Sequence, residues 1–315
     1  MYVFIAIALT IAVVIALNQT ALFHRSGADY AVPEETRLFD PRAASVRRET
    51  GSDACVLFVH GFPETPAIYV PFCERAAHAG YDAFAPLLPG CGTEPRDALD
   101  VRFEGSYAFI RERYLELRAR YRRVFLVGTS YGALICLRLC EEFSPKTGAA
   151  ELAPDAVASI AAPIFLNSLV RHRSFVNLML YVVRFVGWFK PMLGVALPDP
   201  ERVGRDGDER WVGYLGLYPR VIYDMTMAAR KIERNLGLVT APICVLNARE
   251  DRMTPFACAL TIVRRVSSGI IRLYAANMSD QRHARHSLLL YDSQREKAWS
   301  EISRLFDETR AGKLS

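Results

Sequence analysis

At 315 residues, 51% hydrophobic and 23% charged, the chain can bury a full core, which excludes a disordered or low-complexity protein. The formal net charge of +5 comes from 39 basic and 34 acidic residues. No run of Lys or Arg is long enough to form a nucleic-acid groove. The seven cysteines (Cys55, Cys73, Cys91, Cys136, Cys140, Cys244, Cys258) are odd in number, scattered and set in apolar segments. Buried free thiols fit this pattern better than a disulfide framework does, and they suit a reducing compartment. Cys136 and Cys140 lie one helical turn apart with no Cys-x-x-Cys pair beside them, so they read as helix packing rather than metal ligands.

The first segment, Met1 to Leu17, carries no charged side chain and approaches the length of a short spanning helix. It lacks the basic start and small-residue cleavage site of a signal peptide, so the expectation is an uncleaved membrane anchor over residues 1–17. Arg25, Arg37, Arg42, Arg47 and Arg48 all follow it, which by the positive-inside tendency places the rest of the chain in the cytoplasm. Residues 18–53 are polar and mixed in charge. They read as a linker with an edge hairpin at its end.

Beyond the linker, short apolar runs alternate with helical patterns. The runs are Cys55 to Val59, Asp82 to Ala85, Val124 to Val127, Ala156 to Ile160, Ile243 to Leu246 and Ile270 to Tyr274. Near-continuous apolar runs of this length are expected of strands buried on both faces of a parallel sheet. Helices are predicted over Pro66 to Ala79, Glu104 to Tyr121, Tyr131 to Phe143, Pro255 to Val266 and Ser293 to Thr309. The alternation predicts a doubly wound, mostly parallel α/β sheet with its site at the carboxyl ends of the strands. It stops between Ala162 and Val239, too long a gap for an ordinary connection. Helical patterns over Ser168 to Leu193 and Val212 to Asn235 flank a charged loop, Pro198 to Asp208, which predicts an inserted helical cap over residues 163–238. The core is then residues 54–162 and 239–312. In the cap, Phe175 with Met179 and Trp188 with Phe189 are candidates to line an acyl pocket or touch lipid.

Gly128-Thr129-Ser130-Tyr131-Gly132 has the form G-x-S-x-G, directly after a predicted strand and directly before a predicted helix. In that setting a sharp turn presents the serine hydroxyl, and the flanking glycines let the backbones approach. A serine hydroxyl needs an adjacent base, itself oriented by an acid. Asp251 follows the strand that ends near Asn247, and His286 follows the last predicted strand, in the order serine, acid, histidine. Glu250 competes with Asp251 as a loop carboxylate. His283 competes with His286 but sits farther from the terminal helix that would anchor the loop. Acyl transfer also needs backbone donors for an oxyanion. The N–H of Tyr131 is one candidate; in the loop His60-Gly61-Phe62-Pro63, where Pro63 has no N–H, Phe62 is the other.

These segments resemble the α/β-hydrolase family, and within it the bacterial carboxylesterases and monoacylglycerol lipases, over about Cys55 to Thr309. His60-Gly61-Phe62 resembles that branch's oxyanion loop. Leu88-Pro89-Gly90-Cys91-Gly92-Thr93 resembles its L-P-G-H-G-T loop, with Cys91 in place of the histidine. Ala241 to Pro255 resembles the acid strand and loop, and Ala284-Arg285-His286 resembles an S-x-H segment with Ala284 for the serine. Tyr131 stands where Met or Leu is frequent. The resemblance implies hydrolysis of a carboxylic ester through an acyl-serine, with Ser130, Asp251 and His286 as triad and no cofactor or metal. The expected anchor and the apolar clusters of the cap together point to a small-molecule, amphiphilic, lipid-derived ester as partner. Thioesterases and lactonases share the scaffold. A membrane-tethered binding protein that kept the fold but lost activity is the expectation from a different class.

Overall fold

The computed structural model describes residues 1–18, 20, 27–166, 178–196, 211–251, 253–278, 286 and 288–313. Its helices are α1 (Tyr2–Asn18), α2 (Val70–His78), α3 (Phe103–Arg120), α4 (Tyr131–Glu142), α5 (Val183–Phe189), α6 (Pro219–Asn235), α7 (Phe256–Arg265) and α8 (Asp292–Arg310). Its strands are β1 (Val46–Arg48), β2 (Ala54–Val59), β3 (Asp82–Ala85), β4 (Arg123–Thr129), β5 (Ala156–Ile160), β6 (Leu193–Ala196), β7 (Leu215–Leu217), β8 (Ile243–Ala248) and β9 (Ile271–Ala276).

The six apolar runs form β2, β3, β4, β5, β8 and β9 of a seven-stranded sheet ordered β1-β3-β2-β4-β5-β8-β9, parallel except for β1. Every residue of β2, β5 and β8 is buried, as expected of strands covered on both faces. Along β4 the pleat divides the core. Val124 and Leu126 join a cluster with Ile110, Leu134 and Ile262, whereas Phe125 and Val127 join one with Phe72, Ile302 and Phe306. Phe125 stacks on Phe306 with ring centroids 4.6 Å apart, which seats α8 on the sheet. Burial of each such ring contributes about 1.5–3 kcal/mol.

The polar stretch before the core supplies the edge strand β1, but no hairpin. β1 pairs antiparallel with β3, not with its chain neighbour β2. Asp82 at the start of β3 decides this, because its Oδ1 accepts from the Thr50 N–H, the Thr50 hydroxyl and the Ser52 N–H, fastening the β1–β2 connection there.

The membrane anchor expected over residues 1–17 is overturned. Helix α1 has 17 residues, a rise of about 25 Å at 1.5 Å per residue, short of the roughly 30 Å of a hydrocarbon core. Among the described residues no helix is long and apolar enough to cross a membrane. The cytoplasmic orientation falls with it, since flanking charges orient only a spanning segment. Arg37, Arg42, Arg47 and Arg48 instead pair with carboxylates of the protein itself.

The foot of α1 is tied to the insertion. Asn18 is buried; its Nδ2 donates to the Leu180 carbonyl (3.0 Å) and its Oδ1 accepts from the Arg184 N–H (2.6 Å). Val182 at the N-cap of α5 has no polar side chain, so Asn18 satisfies the second helical N–H from a distant part of the sequence. Arg184 returns a bond to the Leu17 carbonyl (3.0 Å).

The insertion is not purely helical. It contains α5, α6 and an antiparallel ribbon of β6 and β7, in which Leu193 faces Leu217 and Ala196 faces Leu215. The ribbon depends on Gly216, where a Cβ would lie 2.6 Å from the Gly194 carbonyl oxygen at a φ of +94°. Phe175 and the loop from Pro198 to Asp208 lie outside the described residues. Trp188 and Phe189 are exposed, so they do not line the interior.

Replacing Asn18 by Ala is expected to destabilise the protein by about 1 kcal/mol, the usual loss of a capping side chain. Urea unfolding measures it, and amide exchange should accelerate in Val183–Phe189 before it does in the sheet.

Candidate active site

The carboxyl ends of β2, β4, β8 and β9 converge on one edge of the sheet. Ser130 stands between β4 and α4 with φ 53° and ψ −115°, outside the regions that L-residues ordinarily occupy. Such a conformation stores about 1–3 kcal/mol and persists only where its surroundings enforce it. Two glycines do so here. A Cβ on Gly128 would lie 2.5 Å from the Gly132 carbonyl oxygen, and one on Gly132 would lie 2.0 Å from that of Val59. The Ser130 N–H donates to the Ile160 carbonyl (2.8 Å), locking the turn to β5.

His286 Nε2 is 2.8 Å from Ser130 Oγ, and His286 Nδ1 is 2.8 Å from Asp251 Oδ2. The carboxylate accepts from Nδ1–H, which leaves Nε2 to accept the serine proton. Asp251 is buried after β8, and its second oxygen accepts from the N–H groups of Met253 (2.8 Å) and Thr254 (2.9 Å). Burial by itself lowers the His286 pKa. Asp251, by charge and hydrogen bond, and then Glu64 by charge, reverse that and hold it above the ordinary histidine range.

Three of the residues singled out in the sequence are thus brought together, and the competing carboxylate is not. Glu250 turns toward β9, accepting from the Met278 N–H (2.9 Å). His283 lies outside the described residues. Phe62 follows β2, in a loop pressed against the serine: a Cβ on Gly61 would lie 3.3 Å from that of Ser130. Tyr131 begins α4; its buried hydroxyl donates to Ser106 Oγ (3.1 Å), and its ring lies between those of Phe62 and Phe103.

Two members of the β2 loop carry more than the motif suggested. His60 is fully buried, donating from Nδ1 to the Gly61 carbonyl (2.7 Å) and accepting the Leu88 N–H at Nε2 (3.0 Å). Burial pushes its pKa down to about 4, so it stays neutral and acts as a brace between two loops. Glu64 is 3% exposed, accepts the Gly61 N–H at Oε2 (3.2 Å), and among the described residues has no hydrogen-bond partner for Oε1. Burial pushes its pKa up to about 7, against the opposing pull of that N–H and of His286. Its distance of three residues from Gly61 was the only sequence signal. All seven cysteines are free and buried, and burial raises the Cys91 thiol pKa far above its usual value.

Above Ser130 and His286 lies a cavity of about 470 Å³, walled on the insertion side by Met179, Val183, Leu215, Tyr218, Val221 and Met225. Among the described residues that line it there is no Asp, Glu, Lys or Arg. Core loops hold the insertion in place: the Thr65 hydroxyl donates to the Val212 carbonyl (2.7 Å), the Tyr214 N–H to that of Pro63 (3.0 Å) and the Tyr218 hydroxyl to that of Pro95 (3.0 Å).

The pattern of the alpha/beta hydrolase family matches residues 56–297, and the chain belongs to that family. A stretch of 86 residues is 38% identical to a thermostable monoacylglycerol lipase from Bacillus sp. (strain H-257), covering 27% of this chain and 34% of that protein. The match therefore spans about a third of that relative's length. Solved structures share the fold at low identity. One, from a study of two metagenome-derived lipolytic enzymes, superposes with a TM-score of 0.67 at 20% identity, over 85% of this chain and 98% of its own. A soluble variant of the monoglyceride lipase from Saccharomyces cerevisiae, in complex with a substrate analog, gives 0.63 at 18%, over 92% and 96%. The monoacylglycerol lipase from Paleococcus ferrophilus gives 0.61 at 16%, over 84% and 98%.

Gly132→Ala should cost more than the roughly 1–3 kcal/mol of ordinary overpacking, because the clash is with backbone that cannot give way. Thermal unfolding of this variant beside Gly148→Ala, where a Cβ meets nothing within 4 Å although φ is +84°, separates packing from the penalty of a positive φ.

Proposed function

We propose that the protein is a serine hydrolase that cleaves carboxylic esters through an acyl-serine, with lipid-derived monoacyl esters as its substrate class. The observation that carries this is the hydrogen-bonded chain from Asp251 through His286 to Ser130, with the serine at the tip of the turn after β4.

In the first half-reaction Ser130 Oγ attacks the ester carbonyl carbon while its proton passes to His286 Nε2. Asp251 stabilises the imidazolium and keeps Nε2 aimed at the serine. Negative charge on the carbonyl oxygen is met by the N–H groups of Phe62 and Tyr131, whose segments converge beside Ser130. Collapse of the tetrahedral species breaks the ester C–O bond, and the departing alcohol takes the proton from His286. Water then attacks the acyl-serine by the same route, releasing the carboxylic acid and restoring the hydroxyl.

The lipid-derived substrate class rests on the cavity, whose uncharged wall suits an alkyl chain, and agrees with the lipases among the similar proteins.

A serine-directed phosphonate should label Ser130 in the native protein and not in Ser130→Ala, which should have no turnover with its fold intact. Asp251→Asn should lower kcat roughly ten-thousand-fold, the loss typical of misorienting the histidine, while Glu250→Gln stays near native. Failure to label the folded native protein overturns the reading. With p-nitrophenyl esters of graded acyl length, kcat/KM should rise from acetate toward longer chains. A maximum at acetate removes the lipid-derived class and leaves ester hydrolysis standing.

A further inference from the structure

Glu64 is a buried carboxylate that the proposed triad does not use, yet it sits where the triad and the β2 loop meet. One oxygen accepts the Gly61 N–H, one residue before Phe62. The same oxygen would be 3.0 Å from a Cβ on Gly61, whose other near neighbours are the Ser130 Cβ at 3.3 Å and the Thr129 carbonyl oxygen at 3.4 Å. Its backbone is pinned as well: the Glu64 N–H donates to the Gly61 carbonyl (3.2 Å), and Glu64 bridges to Gly213 of the insertion. The other oxygen has no hydrogen-bond partner among the described residues, so negative charge on this group is compensated there mainly through space.

Among the described residues, the titratable groups that face Glu64 are few. On its own loop stands His60, neutral with its pKa pushed down to about 4 by burial. From the helical turn behind the loop comes Tyr69, and from the loop after β3 comes Cys91. Burial raises both well above their ordinary range, and the charge of Glu64 adds to this. From the loop after β9 comes His286, which Glu64 pulls upward and which in turn pulls Glu64 downward. Of these neighbours only His286 has a charge interaction with Glu64 that favours the ionised form of both groups.

We propose that Glu64 is a positioning residue for the reaction proposed above: through Gly61 it holds the loop that carries the Phe62 N–H, and through its charge it steadies the imidazolium formed when Ser130 loses its proton. The inference rests on Ser130 and His286 acting as nucleophile and base. The step is the proton transfer already described, from Ser130 Oγ to His286 Nε2, with Glu64 remaining an unreacted anion. Its consequence is specific. Removing the charge should lower both the plateau rate and the pH at which His286 gives up its proton, because the same attraction steadies the imidazolium in each case.

Glu64→Gln keeps an acceptor for the Gly61 N–H and removes the charge. The pH profiles of kcat and KM for the full chain, measured with p-nitrophenyl butanoate from about pH 5 to about pH 9, are the test. The expected result is a plateau kcat about three- to ten-fold lower with KM nearly unchanged, and an acid limb moved down by about half to one pH unit, the same free energy read twice. The two profiles should converge at low pH, where native Glu64 is protonated. Glu64→Asp, which keeps the charge, should hold the native limb. A Glu64→Gln limb that coincides with the native one, or a loss confined to KM, overturns the proposal. So does a Glu64→Asp limb displaced as far as that of Glu64→Gln. Ser130→Ala separates the two levels: if it keeps turnover, the underlying reading fails. If it is dead while Glu64→Gln behaves as native, only the role of Glu64 fails.

Discussion

The approach of Gly132 to the Val59 carbonyl is the contact on which the rest of the molecule turns. It joins the start of α4 to the end of β2, at a separation that no side chain tolerates. Because β2 and β4 are neighbours in the sheet, the contact also brings the loop of His60 to Glu64 against Ser130. The strained backbone of Ser130 is sustained by this contact and by the bond from its N–H to β5. Ser130, the loop after β2 and the sheet are therefore packed as one unit.

Around that unit, electrostatics follow from burial. Two backbone N–H groups and the His286 ring satisfy the oxygens of buried Asp251. Glu64, equally buried, has one N–H only, and its pKa rises to about 7. The two carboxylates thus differ in how many donors meet them, three for Asp251 and one for Glu64. The apolar wall supplied by the insertion keeps this polar cluster under a roof without competing charge. That roof is hung from core loops through Thr65, Pro63 and Pro95, and braced at its far end by Asn18.

Much of this was legible in the chain. The six apolar runs and the helices between them carry a period and length that only buried parallel strands and their crossovers satisfy, and the sheet places them accordingly. The glycine spacing around Ser130 is likewise local information, since the turn needs glycine at those positions. Other features were illegible because they join distant parts of the sequence. The short ribbon of β6 and β7 has too few residues for a period, and β1 chooses β3 through Asp82, 34 residues beyond Arg48. The apolar character of Met1 to Leu17 was plain, but whether a helix spans a bilayer is settled by its length, and α1 ends at Asn18, which is bound by the insertion.

For the candidate site, the sequence by itself determined the residue types, their order and the sharp turn that exposes Ser130, because these depend on local backbone geometry. It offered two carboxylates at the end of β8 and two histidines after β9 without a physical basis for bond lengths. Only the tertiary structure placed Asp251 and His286 within 2.8 Å of each other and turned Glu250 toward Met278. It alone brought Glu64 within reach of the charge on the same imidazole, since proximity across 222 residues is a property of the packed sheet and not of any segment of the chain.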